Sequence, residues 1–304
     1  MKKNIGCVIV TYFPDNDFLN RLINVSLQSD KIVIVNNGLS KSAFIELSKF
    51  ASLNENIKVV NCKSNVGIAK ALNLGCEYLI NIGYSNALLL DQDSHITKNM
   101  VSSLEKLLIR KSNSAVVGPQ IIPKNISLDL ISHKMKYMIN TDSFFFKREA
   151  VSSKPLKVAF NITSGSLIKL NVWKEIGGFW EDLFIEGVDN EYGLRVNSFG
   201  YDIFIDNESF LHQEYGNQRV VKKLGKNYFP TFHSPLRSYY ISRNRIMIWK
   251  RHWRKHRYYI SWDILSSMNM IFQILLLEDK KLEKLKLIIR GYLDGINGVK
   301  GKYN

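Results

Sequence analysis

Ala87-Leu88-Leu89-Leu90-Asp91-Gln92-Asp93 decides the fold of this chain: a short, wholly apolar run stops on two carboxylates set one residue apart. Consecutive apolar residues suit a strand covered on both faces, as in a parallel sheet. In open α/β sheets ligands bind beyond the carboxyl ends of the strands, where a hard divalent cation takes carboxylate oxygens together with a ligand's phosphates. The run therefore sets Asp91 and Asp93 where a metal-bound diphosphate would sit. By itself an Asp-x-Asp pair is equally a solvated turn, so its meaning depends on its surroundings.

Working outward, Ile5–Tyr12, Lys31–Asn36, Ile57–Asn61 and Ala87–Leu90 read as strands, with amphipathic helical patterns at Asp17–Ser29, Ser40–Leu53 and Gly67–Ile80 between them. This alternation predicts βαβ units and an α/β fold. The first strand is not followed by Gly-x-Gly-x-x-Gly and the chain has no Walker-type loop, which argues against dinucleotide binding and nucleoside triphosphate hydrolysis. Beyond Thr97 the pattern is mixed, with helices at Asn99–Lys111 and Asp189–Phe199 and strands at Val116–Ile122, Phe160–Lys169 and Asp202–Asp206 completing one sheet.

With 304 residues and 45% hydrophobic content the chain can bury a sizeable core. Its net charge of +15 is unevenly placed: Arg219 to Arg257 holds 12 of the 42 Lys/Arg and no acid, leaving 30 bases against 27 acids elsewhere. Trp249, Trp253, Tyr258, Tyr259 and Trp262 interleave with this basic segment. Anionic lipid surfaces attract basic residues by roughly 1 kcal/mol each, and interfacial aromatics accompany them. A peripheral membrane partner is therefore expected; a solvated basic helix is the plainer reading, and no recognition motif points to nucleic acid. Ile264, Met268, Ile271 and Leu275, flanked by Leu265, Phe272 and Leu276, recur at helical spacing and would pack on the main domain or lie in the bilayer interface. No unbroken run of nineteen apolar residues exists, so a transmembrane span is not expected. Met1-Lys2-Lys3 leads straight into the first strand with no cleavage site, which places the chain in the cytoplasm. The sequons at Asn24, Asn125, Asn161 and Asn207 are discounted accordingly, and Cys7, Cys62 and Cys76 read as reduced thiols.

Val8-Ile9-Val10-Thr11-Tyr12, Val35-Asn36-Asn37-Gly38, Asn65 to Gly75, Asp91-Gln92-Asp93-Ser94, Gly177-Gly178-Phe179, Phe184 to Arg195 and Phe210-Leu211-His212 occur in that order. Over residues 4–216 this set resembles the inverting family-2 glycosyltransferases of the GT-A fold. Asp91 to Ser94, Thr163-Ser164-Gly165 and Arg237 to Asn244 look most like bacterial rhamnosyltransferases of O-antigen and polysaccharide assembly. The resemblance implies a Rossmann-like, mostly parallel sheet with helices on both faces. Residues 1–218 would form the GT-A domain, with a nucleotide-binding half at about 1–95 and an acceptor half at about 96–218; residues 219–304 would be a basic, aromatic, helical extension.

It also implies the chemistry. L-Rhamnose would pass from dTDP-L-rhamnose to a lipid-diphosphate-linked glycan at the inner face of the plasma membrane. Alternatives are UDP-galactofuranose or another UDP-hexose as donor, or a catalytically silent membrane-associated assembly module; a homodimer is left open. The departing diphosphate needs a cation, Mg²⁺ or Mn²⁺, with Asp93, His212 and Asp91 as ligands. Asp189 matches the family's catalytic base, although it also suits a helix start, and Glu186 and Glu191 are second choices. Arg195 at i+4 from Glu191 suits a helix-face ion pair. Thr11, Asn36, Asn65, Gly67, Asp91 and Gln92 would bind the donor, with Asn36 standing where the family often has aspartate. Thr163, Ser164, Gly165, Trp180 and Glu186 would line the acceptor side.

Overall fold

Four parallel strands, β1 (Ile5–Thr11), β2 (Lys31–Asn36), β3 (Ile57–Asn61) and β4 (Asn86–Asp91), form the first half of the sheet. They are joined by α1 (Phe18–Ser26), α2 (Lys41–Ser52) and α3 (Ile68–Asn81). The structure is a computed structural model that describes residues 4–124, 136–213, 220–223 and 225–303.

Alternate side chains of these strands enter different layers. Cys7 and Ile9 of β1, Ile32 and Ile34 of β2 and Leu88 and Leu90 of β4 pack with Phe18 and Leu22 of α1 and with Leu47 of α2. Val8, Val10, Val33, Val35 and Leu89 pack on the other face against Leu72 and Leu79 of α3. Burying each such side chain is worth about 1.5–3 kcal/mol. Both faces being covered, polar side chains have only the strand ends to occupy.

The second half adds β5 (His95–Ile96), α4 (Met100–Arg110), β6 (Ser114–Pro123), β7 (Tyr137–Ile139), β8 (Lys147–Glu149), β9 (Leu156–Val158), β10 (Leu167–Lys169), α5 (Leu170–Glu175), α6 (Val188–Ser198) and β11 (Asp202–Gln213). The main sheet has 9 strands in the order β3-β2-β1-β4-β10-β6-β11-β5, with β9 also on β11. β10 runs antiparallel to β4 and β6, while β6 and β11 are parallel.

Two expected strands change length. Phe160–Lys169 shortens to β10 because residues 163–166 form a turn: Ser166 N donates to Thr163 O at 3.0 Å and Gly165 N to Leu89 O at 2.7 Å. Asp202–Asp206 lengthens to Gln213 because a bulge between Ile205 and Phe210 lets pairing with β6 resume. The buried Asp206 carboxylate accepts from the hydroxyls of Ser103 and Ser209 there. Boundaries at residues 216–219, with the beginning of the basic segment at Arg219, and the sequon at Asn125 lie outside the described residues.

A small hairpin, β12 (Val221–Lys223) and β13 (Lys226–Tyr228), precedes α7 (Pro235–His252), α8 (Arg257–Leu277) and α9 (Lys281–Asn297). Ser234 starts α7, its hydroxyl accepting from Arg237 N at 3.2 Å with Pro235 next in line. Met247, Ile248, Tyr258 and Tyr259 join the core beside α3, so these helices are sewn into the main body. α8 docks through buried Asp263, which accepts from Arg245 Nε and Trp249 Nε1, each at 2.8 Å. Its other face does not pack on the domain: Ile264, Leu265, Met268, Phe272, Leu275 and Leu276 are all exposed. Although no apolar run reaches nineteen residues, α8 has 21 residues and a mean hydropathy of 1.4 over its best window, only 17% of which is buried. By length and composition alone it could cross a bilayer.

α9 lies close on α7 because two glycines one turn apart remove its side chains there. A Cβ on Gly291 would stand 2.5 Å from Tyr239 O, and one on Gly295 2.6 Å from Arg243 O. Gly291→Leu is expected to destabilise the fold by about 1–3 kcal/mol through overpacking, read as a lower thermal midpoint; an unchanged midpoint would mean that α9 docks elsewhere.

Candidate active site

The carboxyl ends of β1, β2 and β4 converge: Thr11 pairs in register with Asn36, and Val10 with Asp91. Around Asn36 lies a cluster of amides. Asn36 Nδ2 donates to Asn61 Oδ1 at 2.6 Å, and its Oδ1 accepts from the backbone N–H of Gly38 at 3.1 Å and Leu39 at 2.8 Å. Asn65 Oδ1 accepts from Gly67 N at 2.9 Å and from Asn37 Nδ2 at 3.2 Å, while Asn37 Oδ1 accepts from Val66 N at 2.8 Å. Asn37 and Asn61 were not singled out from sequence; their one visible sign is that each stands at or just beyond a strand end. Thr11 is buried, its hydroxyl donating to Val35 O at 3.3 Å.

Gln92 grips the backbone of Tyr12 with both ends of its amide, Oε1 accepting from N–H at 2.7 Å and Nε2 donating to C=O at 2.9 Å. Its own carbonyl accepts from buried Arg21 Nε at 2.9 Å. In this structure Gln92 therefore fixes the loop after β1. Gly67 adopts φ 86, and a Cβ there would stand 2.5 Å from Phe184 O. The close backbone approach it permits is to the opposite wall of the site, whose Phe184 O caps α3 by accepting from Ile68 N at 2.7 Å.

Asp91 is set by the turn at residues 163–166. Its N–H donates to Ser164 Oγ at 3.2 Å, Ser164 and Ser94 share a 2.6 Å hydroxyl contact, and Gln213 Nε2 donates to Asp91 Oδ2 at 2.8 Å. Ser164 is buried and supports β4, whereas Thr163 shares with Asp189 and Tyr192 a cavity of about 10 Å³. Gln213, next to His212 at the end of β11, gave no sequence signal. His212 pairs with His95 of β5, two residues beyond Asp93. Among the described residues no three His, Cys, Asp or Glu side chains gather closely enough to hold a metal ion, so His212 does not join the two aspartates here.

Burial, and next the charge of Asp93, push the Asp91 carboxyl up to about 6, with Asp189 adding to the rise and Gln213 and Arg237 opposing it. Two like charges at one strand end are relieved by a divalent cation. Asp91 and Asp93 suit Mg²⁺ or Mn²⁺, which take hard oxygen ligands and are completed by diphosphate and water.

Asp189 stands in the first turn of α6, whose cap is Gly187 rather than the aspartate. Its Oδ1 accepts from Asn190 N at 2.9 Å, and burial raises its carboxyl above the ordinary range. Glu186 is paired with Arg237 of α7; burial nevertheless raises its carboxyl. Glu191 is fully buried, bidentate with Arg195 at 2.8 and 3.0 Å and within 3.3 Å of both His252 and Arg251. Burial acts to raise it, but the hydrogen bond with His252 and the charges of Arg195 and Arg251 hold it below its usual value, so Glu191 is a structural anion. Arg251 also lies 4.5 Å over the Trp180 ring, whose Nε1 donates to Asp182 Oδ2 at 3.1 Å. Both the face and the N–H of Trp180 are thus engaged within the protein.

An open, mostly parallel sheet with an amide-lined strand end and paired aspartates near a helix-borne carboxylate is the arrangement of a GT-A glycosyltransferase. The chain belongs to the glycosyl transferase family 2, whose model matches residues 7–177. It is 28% identical, over the full length of both chains, to the dTDP-rhamnosyl transferase RfbF of Shigella flexneri. Its fold is similar to that of S. aureus TarS 1-349, with TM-score 0.57 and 12% identity over 96% of this chain and 81% of that one. The mannosyltransferase PcManGT from Pyrobaculum calidifontis, solved with GDP-Man and Mn²⁺, gives 0.55 and 12% over 97% and 81%. GalNAc-T7 with UDP, GalNAc and Mn²⁺ gives 0.62 and 14% over 84% of this chain, which spans half of that protein.

The raised Asp91 sets a pH dependence. Between the ordinary aspartate value and about 6, folded Asp91 keeps a proton that the unfolded chain has lost, so its contribution to stability falls as pH rises through that window. Asp91→Asn should therefore raise the thermal midpoint over wild type at pH 8 and not at pH 4; equal midpoints at both would show that Asp91 titrates normally.

Proposed function

We propose that this family-2 glycosyltransferase is a metal-dependent inverting rhamnosyltransferase. It moves L-rhamnose from dTDP-L-rhamnose to a lipid-diphosphate-linked glycan of cell-surface polysaccharide, such as O-antigen. The observation that carries the reading is that Asp91 at the end of β4 and Asp189 in the first turn of α6 are near enough for the charge of Asp189 to raise Asp91. The full-length likeness to a dTDP-rhamnosyl transferase supports the donor.

In this reading Asp189 takes the proton of the acceptor hydroxyl as its oxygen bonds to the anomeric carbon. The bond from that carbon to the diphosphate breaks with its electron pair leaving on phosphate oxygen, which inverts the centre. A carboxylate whose pKa is raised by burial is a stronger base than an ordinary one. Asp91 and Asp93 would hold the cation, which when bound offsets the charge of the departing diphosphate. The amides of Asn36 and Asn65, with Thr11 and Gly67, form the donor side, and Gln92 keeps its loop in place. Thr163, Ser164, Gly165, Trp180 and Glu186 frame the acceptor side. UDP-galactofuranose or another UDP-hexose is the alternative donor: Asn36 supplies an amide where the family often has a charged carboxylate, so this contact does not by itself assign the base.

Calorimetry with dTDP, UDP and GDP, with and without Mn²⁺, tests the donor. The expected result is a preference for dTDP that needs Mn²⁺ and is lost in Asp93→Ala; a preference for UDP would move the donor to a hexose. Asp189→Asn should keep dTDP binding and lower transfer by about 100- to 10,000-fold, the usual contribution of a general base; retained transfer would sink that assignment.

The exposed apolar face of α8, with Leu282, Ile289, Leu293 and Ile296 of α9 also exposed and basic residues close by, suits an anionic membrane at the cytoplasmic side. Binding to phosphatidylglycerol vesicles should exceed that to phosphatidylcholine, weaken with salt, and fall when Leu265 and Phe272 are changed to serine. No vesicle binding together with a dimer in solution would assign the face to a second copy instead.

A further inference from the structure

The loop that delivers Asp189 is held in a costly shape. Phe184 has φ 63 and ψ −62, and Ile185 N donates to Leu183 O at 2.7 Å, which together make a γ-turn of the rare, strained kind. Glu186 follows at φ 63. Non-glycine residues in such conformations cost about 1–3 kcal/mol each and persist only where their surroundings over-determine them.

What over-determines this turn comes from α7. Arg243 is fully buried, forms no ion pair among the described residues, and donates Nη2 to Leu183 O at 3.0 Å and to Asp182 O at 3.4 Å. Its Nη1 reaches Gly301 O at 2.5 Å, and its Nε donates to Asn244 Oδ1 at 2.9 Å. Asn244 Nδ2 contacts Leu183 O and Glu186 O, each at 2.9 Å, and also Ile185 O. Phe184 stacks on Tyr240 with centroids 5.4 Å apart. Burying a guanidinium without a counter-ion is expensive, and an apolar side chain would fill the same space at lower cost. What an apolar side chain cannot do is fix the direction of three carbonyls around the turn, those of Asp182, Leu183 and, through Asn244, Ile185. The turn has two outputs: Phe184 O caps α3 at Ile68 on the donor side, and Gly187 opens α6 two residues before Asp189.

We propose that Arg243 and Asn244 are positioning residues for transfer: by pinning the γ-turn at Phe184 they set the distance between Asp189 and the donor-side helix α3. The proposal rests on Asp189 being the base. Neither residue touches substrate, and a misplacement of about 1 Å is enough to cost on the order of 100-fold in rate.

The test compares wild type, Asn244→Ala, the isosteric Asn244→Asp and Arg243→Lys, the asparagine variants keeping the buried charge in place should Arg243→Lys fail to fold. Transfer kinetics and hydrogen exchange are read on the folded full-length protein. The expected result for Asn244→Ala is a kcat lower by about 10- to 100-fold with the donor KM within about threefold. Exchange should be faster over residues 182–191, with β1, β2 and β4 unchanged. Wild-type kcat in both asparagine variants, or a kcat lowered only as far as the folded fraction falls, would overturn the proposal. Transfer that survives Asp189→Asn would sink the base assignment alone, whereas transfer lost in Asp189→Asn but kept in Asn244→Ala would sink the positioning role alone.

Discussion

A strand buried on both faces has nowhere to put a polar side chain except at its ends, and most of this molecule follows from that constraint. β1, β2 and β4 carry apolar residues into two separate layers, so Thr11, Asn36 and Asp91 are left together at the carboxyl edge. Every further polar group of the site is recruited to that edge from elsewhere in the chain. The turn at Thr163–Ser166 supplies Ser164, the end of β11 supplies Gln213, and α6 supplies Asp189.

The carboxylates gathered there are kept in different states by their neighbours. Glu191, saturated by Arg195, His252 and Arg251, ties α6 to α7 as a permanent anion. Glu186 is paired with Arg237, which opposes the upward push of its burial. Among the described residues Asp91 and Asp189 form no ion pair, and burial pushes both upward. Separating acids in this way leaves some groups for structure and others for chemistry.

The sequence was most legible where one periodicity ruled. Apolar runs located β1, β2 and β4, and the i+4 pair of Glu191 and Arg195 was readable on the α6 pattern. It was least legible where a side chain answers to a distant backbone. Nothing near Gln92 shows that its amide is consumed by Tyr12, and nothing near Phe160 shows that residues 163–166 turn to meet β4. The length of β11 was hidden because a bulge filled by Asp206 breaks the alternation that a strand ordinarily shows. The stripe on α8 was visible as a helical face, but periodicity says only that a face is apolar, not which way it looks; the neighbouring Asp263 is what docks the helix. The segment Arg237 to Asn244 was noticed for its likeness to rhamnosyltransferases, and its grip on a turn some sixty residues earlier is a property of the folded chain.

That grip extends to Gly301, whose carbonyl receives Arg243 and whose N–H donates to Asp182 O at 2.8 Å. During synthesis the parallel sheet, made of residues 5–91, can close its own core long before residue 301 leaves the ribosome. On the positioning argument, a nascent chain with its strands already paired would still be idle, and catalytic competence would arrive late and abruptly with the last helix. On that argument the fold has an order of birth, in which the strand edge carrying Thr11, Asn36 and Asp91 matures before the contacts that fix the turn ahead of Asp189.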